Sequence, residues 1–146
     1  MKNSIALIAL LFLFGSCKKD VVDNEVTAPS KLSLLTNKQW LYSEIYYNAT
    51  AHKQGTLAYK RGSTNNSENR DHTRAFFWRD GTFDEVGGLG GAHSKLSWSF
   101  SNSDSTQYSI GSGSSSTNVN IIKLDANTFE WYNPVQRMSA VMYSKL

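Results

Sequence analysis

Between residues 94 and 101 the chain reads Ser94-Lys-Leu-Ser-Trp-Ser-Phe-Ser101, with Leu96, Trp98 and Phe100 alternating with Ser97, Ser99 and Ser101. A period of two places the apolar set on one face of an extended strand and the serines on the other, because successive Cβ atoms point to opposite sides. A helix would scatter both sets around its circumference. The pattern therefore demands a sheet with one buried and one wet face. Comparable runs rich in aromatic and β-branched residues recur at 40–48, 56–61, 73–79, 82–86, 95–101, 106–110, 118–124, 128–133 and 137–145, separated by Gly, Asn, Asp and Ser. Short strands at this spacing predict an all-β sandwich or barrel. Helical spacing is confined to Ser30-Lys-Leu-Ser-Leu-Leu-Thr36, a short turn with Ser30 as its cap. The Ser-rich 109–117 segment reads as a flexible loop between strands.

A second stretch, Arg74-Ala-Phe-Phe-Trp-Arg-Asp-Gly-Thr-Phe-Asp-Glu85, carries its own turn signal in Asp80-Gly81. A two-residue type I′ turn there sets Arg79 opposite Thr82, Trp78 opposite Phe83 and Phe76 opposite Glu85. Arg74, Phe76, Trp78, Phe83 and Glu85 then share one face. Three aromatics make that face core, and buried charges need a partner or a use. Arg74 and Glu85 are thus expected either inside the mouth of a barrel, orienting the polar end of a ligand, or at the strand ends, solvated or paired with each other.

The amino-terminal stretch concerns location rather than fold. Lys2, the apolar run Ile5 to Phe14 and the small pair Gly15-Ser16 form a secretory signal too short to be a spanning helix. The chain's one cysteine, Cys17, follows directly. Leu13-Phe14-Gly15-Ser16-Cys17 resembles the bacterial lipobox, which implies cleavage before Cys17 and acylation of its thiol and new amino terminus with chains such as palmitate. Two or three acyl chains anchor a protein durably where one does not. The expected organisation is a lipoprotein signal peptide over 1–16, an acylated tether over 17–30 and one domain over 31–146. Lys18-Lys19-Asp20 resembles the tags of some surface lipoproteins, so the expected location is the cell envelope, on the outer membrane, with surface exposure. Net charge is +3, and about +2 once Lys2 leaves with the signal. No basic stripe accompanies it, which argues against nucleic acid as a partner.

Leu34-Leu-Thr-Asn-Lys-Gln-Trp40, Phe77-Trp-Arg-Asp-Gly-Thr-Phe83, Leu96-Ser-Trp-Ser-Phe100 and Ile121-Ile-Lys-Leu-Asp-Ala-Asn-Thr-Phe129 together resemble the small lipocalin-like domains of bacterial lipoproteins. Lipocalins proper carry Gly-x-Trp at the first strand and a late arginine packed on that tryptophan. Here Trp40 stands in place, Lys38 occupies the glycine position and Arg137 is the counterpart arginine. The resemblance implies an up-and-down barrel of about eight antiparallel strands with a short N-terminal helical turn, binding a small apolar or amphipathic molecule. The ligand-binding candidates are Trp40, Arg74, Phe76, Trp78, Phe83, Glu85, Trp98 and Phe100.

Catalysis finds little support. His52, His72 and His93 have no partner spacing for zinc. Asp84 and Glu85 are strand neighbours and point apart. Gly87-Gly-Leu-Gly-Gly91 has neither a helix nor a Lys-Ser/Thr behind it, so it lacks the setting of a phosphate cradle and reads as a mobile rim loop. The expectation is a binder with no enzymatic activity, no metal and no cofactor. The alternative is a surface module that contacts carbohydrate or protein through exposed aromatics, drawn from Tyr42, Tyr46, Tyr47, Tyr59, Phe77 and Tyr132. Asp104-Ser105-Thr106 resembles a three-residue O-glycosylation signal of exported bacterial proteins.

Overall fold

The computed structural model describes residues 28–36, 38–88 and 93–145. Cys17, the leader, most of the tether, and residues 89–91 of the glycine-rich run lie outside the described residues. The elements are α1 (Lys31–Leu35), β1 (Gln39–Ala51), β2 (Gln54–Lys60), β3 (Arg74–Phe77), β4 (Thr82–Val86), β5 (His93–Phe100), β6 (Gln107–Ser112), β7 (Ser115–Leu124), β8 (Thr128–Asn133) and β9 (Met138–Lys145). Ser30 caps α1 as expected, its hydroxyl accepting the Ser33 N–H at 3.2 Å. Thr36 ends it, donating both its N–H (3.0 Å) and its hydroxyl (2.7 Å) to the Leu32 carbonyl.

All strands join one antiparallel sheet in the order β2-β1-β3-β4-β5-β6-β7-β8-β9, and β1 also pairs with β9, which closes the sheet into a barrel. With 13 residues, β1 is long enough for two neighbours on its other side. Gln39 to Leu41 pair with β3, and Glu44 to Ala51 pair with β2. The two short strands take turns beside β1, so the wall is that of a closed eight-stranded antiparallel barrel. Closure pairs the β9 edge, which an open sheet would otherwise expose to other chains.

Two local expectations are overturned. The Ser-rich stretch is not a loop: β6 and β7 run through it, from Tyr108↔Val119 to Ser112↔Ser115, leaving only Gly113-Ser114 as a turn. Cross-strand pairing outweighs the weak strand propensity of Ser and Gly. Gly111 is required there, because an added Cβ would lie 2.2 Å from the Ser115 carbonyl oxygen and 2.5 Å from the Ser116 Cα.

The second correction concerns β3 and β4. Their register is Phe77↔Phe83, Phe76↔Asp84, Ala75↔Glu85 and Arg74↔Val86, one residue away from the two-residue-turn pairing. Gly81 donates its N–H to the Trp78 carbonyl (3.1 Å), and the Trp78 N–H goes to the Thr82 carbonyl (2.8 Å). Positive φ occurs at Gly81 (85°) and not at Asp80, so a three-residue loop closed by a left-handed glycine replaces the type I′ turn. A slip of one residue inverts every side chain on the shifted strand. Ala75 and Phe77 therefore face inward, while Arg74, Phe76 and Trp78 face outward.

One end of the barrel is packed shut. Trp40 and Phe129 are fully buried with ring centroids 5.5 Å apart, and Phe77 meets Phe129, Trp98 and Tyr108 edge-on at 5.7, 5.3 and 5.6 Å. Such pairs add about 0.5–1.5 kcal/mol each beyond the area they bury. The Trp40 indole N–H donates to the Leu35 carbonyl at 2.9 Å, which lays α1 across this end. Lys31 and Lys38 fasten it by donating to the carbonyls of Asp104 (2.8 Å) and Ala126 (3.0 Å) in the β5–β6 and β7–β8 turns. Arg137 does not pack on Trp40. It sits exposed in the β8–β9 turn at the other end and donates to the Asn48 carbonyl at 3.3 Å. The cation over the Trp40 ring is Lys38, 5.3 Å from its centroid.

The cavity of the barrel as candidate functional site

Above the aromatic floor the interior is open. A cavity of about 590 Å³ is lined by Phe77, Phe83, Leu96, Tyr108, Val119, Trp131 and Met142 among others, with Ser112, Ser115, Thr117, Asn133 and Gln136 toward the β6–β7 and β8–β9 turns. Those turns lie at the end opposite α1, so the polar residues form the mouth and the apolar ones the depth. Alternation puts this set together: the inward residues of β4 to β9 are every second residue of strands whose outward residues meet water. The Trp131 indole N–H points to the Met142 sulfur at 3.4 Å. The Tyr108 hydroxyl makes no hydrogen bond among the described residues, and burial pushes its pKa up, so it remains a neutral donor facing the cavity.

One side of the wall is ionic. Glu85 lies on the cavity, where its Oε1 accepts from Arg70 Nη1 at 3.1 Å and its Oε2 from the Tyr42 hydroxyl at 2.8 Å. Arg70 is sandwiched: its guanidinium carbon lies 5.8 Å from the Tyr42 ring centroid, and its Nε stands 3.5 Å from Glu68 Oε1 without forming a hydrogen bond. The Tyr47 hydroxyl bridges both Glu68 oxygens at 3.1 and 3.2 Å. Burial, with Glu85 second, raises the Tyr42 pKa well above the usual phenol value. For Arg70, burial acts against the charge, but Glu68 and Glu85 outweigh it and raise the pKa. Arg70 is thus held in its charged form, with the Tyr42 and Tyr47 phenols neutral beside it.

Arg70 reaches the cavity because the 61–73 connection is tied down. Arg61 donates to the carbonyls of Tyr42 (2.8 Å) and Asp71 (3.0 Å), the Tyr59 hydroxyl to Asp71 (2.7 Å), and the Thr73 N–H to the Arg70 carbonyl (3.0 Å). Sequence reasoning missed Arg70 and Glu68. Asn65-Asn-Ser-Glu-Asn-Arg-Asp71 has no periodicity, and its one signal is a Glu-x-Arg pair that any solvated loop would also show.

Of the residues expected at the ligand, Phe83 and Glu85 line the cavity. Trp40, Trp98 and Phe100 lie in or against the floor, the Trp98 indole donating to the Trp78 carbonyl at 2.9 Å and Phe100 stacked edge-on to Trp98 at 5.5 Å. The one-residue register difference places Arg74, Phe76 and Trp78 outside. Phe76 and Trp78 stack there with centroids 5.7 Å apart, the Trp78 indole donates to Asp84 Oδ2 at 2.9 Å, and Arg74 reaches the His72 carbonyl. Glu85 is therefore paired with Arg70, not with Arg74. Among the aromatics expected on the surface, Tyr42, Tyr59 and Phe77 are buried, and Tyr46, Tyr47 and Tyr132 are half-buried. Among the described residues the exposed aromatic is instead Trp78, at 42%.

The fold also assembles a serine, a histidine and a carboxylate. Ser139 Oγ lies 2.9 Å from His52 Nδ1, and His52 Nε2 lies 2.6 Å from Glu130. Ser139 is wholly buried and its Oγ accepts the Lys53 N–H at 3.1 Å. The group fastens the β1–β2 turn onto the outer wall and presents no reachable hydroxyl. Among the described residues no three His, Cys, Asp or Glu side chains converge to hold a metal ion.

In sequence the chain matches no protein-family model and no curated protein. In structure it is similar to a lipocalin-like protein from Bacteroides uniformis, with a TM-score of 0.51 at 13% identity, over 77% of this chain and 99% of that one. The likeness is one of fold: a closed lipocalin-like β-barrel with one short helix.

Proposed function

We propose that the protein holds one small apolar or amphipathic molecule in its barrel, and that it does so as an acylated lipoprotein of the cell envelope rather than as an enzyme. The cavity carries this reading: about 590 Å³, with an apolar depth, a polar mouth and one ionic patch in the wall, which is the composition of small-molecule pockets. The lipocalin-like fold supports ligand binding in general. Native mass spectrometry of the domain with an environment-sensitive apolar dye tests it. One bound dye per chain, lost when Val119→Trp fills the cavity, is the expected outcome, and binding that survives the filling overturns it.

Anchoring rests on the lipobox resemblance around Cys17. Labelled palmitate is expected in the wild type and absent from Cys17→Ala; label retained in the variant removes the anchor from the reading. A second reading has its own observation. Trp78, 42% exposed, stacks with Phe76 on the outer wall, which suits contact with a carbohydrate or protein. Loss of cell-surface or glycan binding in Trp78→Ala, with dye binding kept, would favour it.

A further inference from the structure

The charges around the cavity are unequal, and this bears on which amphipathic molecule enters. Among the cavity-lining residues the charged ones are Arg70 and Glu85. Behind Arg70 stands Glu68, whose side chain is as buried as that of Arg70, 9% exposed in each case. One guanidinium therefore serves two carboxylates. Tyr42 and Tyr47 donate to those carboxylates as neutral phenols. The neighbouring Arg61 is engaged elsewhere, with Asp71 Oδ1 at 3.8 Å and three backbone carbonyls. Among the described residues the patch thus sets two carboxylates against one guanidinium, a formal excess of one negative charge.

Resting on the cavity reading above, we infer that the bound molecule is a cationic amphiphile, its ammonium or amidinium head beside Glu85 and its apolar body among Phe77, Phe83, Tyr108 and Met142. An anionic head would be a third carboxylate competing for Arg70, in a wall where poor solvation magnifies each charge. A cationic head instead completes two pairs, and of the two carboxylates Glu85 is the one that lines the cavity. Coulomb attraction at contact distance is largely offset by stripping water from the head, so a net preference of about tenfold is expected.

Three probes that differ only in the head test this at neutral pH and low salt: dodecylammonium, dodecanol and dodecanoate, each titrated below its micelle concentration by dye displacement. The expected order places the ammonium about tenfold tighter than the alcohol, with the carboxylate weakest. The ratio of ammonium to alcohol affinity should fall toward unity in Glu85→Gln and rise in Arg70→Gln. These opposite shifts cannot both come from partial unfolding. Equal affinities, or dodecanoate tightest, overturn the charge inference and leave the cavity reading standing. No binding of any of the three overturns both.

Discussion

Phe129 shows what one side chain contributes to the closed end of the barrel. It is fully buried and touches the rings of Trp40, Phe77 and Tyr108. These neighbours are locked by one another and by α1, so the hole left by truncation cannot collapse. Phe129→Ala should cost about 3–5 kcal/mol, read as a lower urea midpoint. At the same scale Gly111 has no room for a methyl group, because backbone atoms of Ser115 and Ser116 occupy the space. Gly111→Ala should cost about 1–3 kcal/mol from overpacking, with Ser114→Ala in the adjacent turn as the near-neutral comparison.

At the level of elements, the β1–β2 turn is held by chemistry that titrates. Burial acts to raise the Glu130 pKa, but hydrogen bonds and charge from His52 and Lys53 outweigh it and hold the carboxyl below its ordinary value. The ionised form is therefore favoured by folding. Its contribution is complete above the unfolded carboxyl pKa, about 4.3, and is lost as pH falls through the lower folded value. Glu130→Gln should cost about 1–2 kcal/mol at neutral pH. Urea midpoints of variant and wild type should converge as pH drops from 5 toward 3; a constant gap would mean that Glu130 acts by packing alone. Comparing the two chains cancels the other carboxylates held low: Asp80 and Asp125 accept from backbone N–H groups of their turns, and Asp104 accepts first from the Thr106 hydroxyl and then from its N–H.

For the whole molecule, closure is the decisive feature. β1 pairs with β9 over Gln39 to Tyr46, and this seam closes the sheet into a barrel. A chain ending at Arg137, without β9, leaves β1 and β8 with unpaired backbone groups and opens the core to water. It should show no cooperative unfolding transition and should elute as aggregate, whereas the intact domain is expected to unfold in one cooperative step. A cooperative monomer without β9 would mean that the aromatic end folds by itself.

How much of this was legible depends on how local each cause is. The alternation of Leu96, Trp98 and Phe100 needs only a strand's two-residue period, and it correctly placed the inward face of β5. The helical turn at Ser30 needs only its cap. The β3–β4 register was misread because Asp80-Gly81 is compatible with either a two- or a three-residue loop, and the choice is made by neighbouring strands. In the three-residue loop Phe77 and Phe83 meet at 4.9 Å over the floor, while Phe76 and Trp78 stack outside. Arg70 was invisible because its position follows from Arg61, Tyr59 and Thr73 holding a connection that lacks any period.

The amino-acid order by itself determined an all-β domain, its short cap helix and the rough positions of its strands, the serine-rich ends of β6 and β7 excepted, since periodicity and turn residues act over a few positions. Only the folded barrel decided that the ring closes through β1 and β9, that space remains above the aromatic floor, and that Glu85 meets Arg70 instead of Arg74. Each of those depends on side chains brought together across the sheet, where the outcome is set by volume and charge shared among distant residues rather than by any one segment.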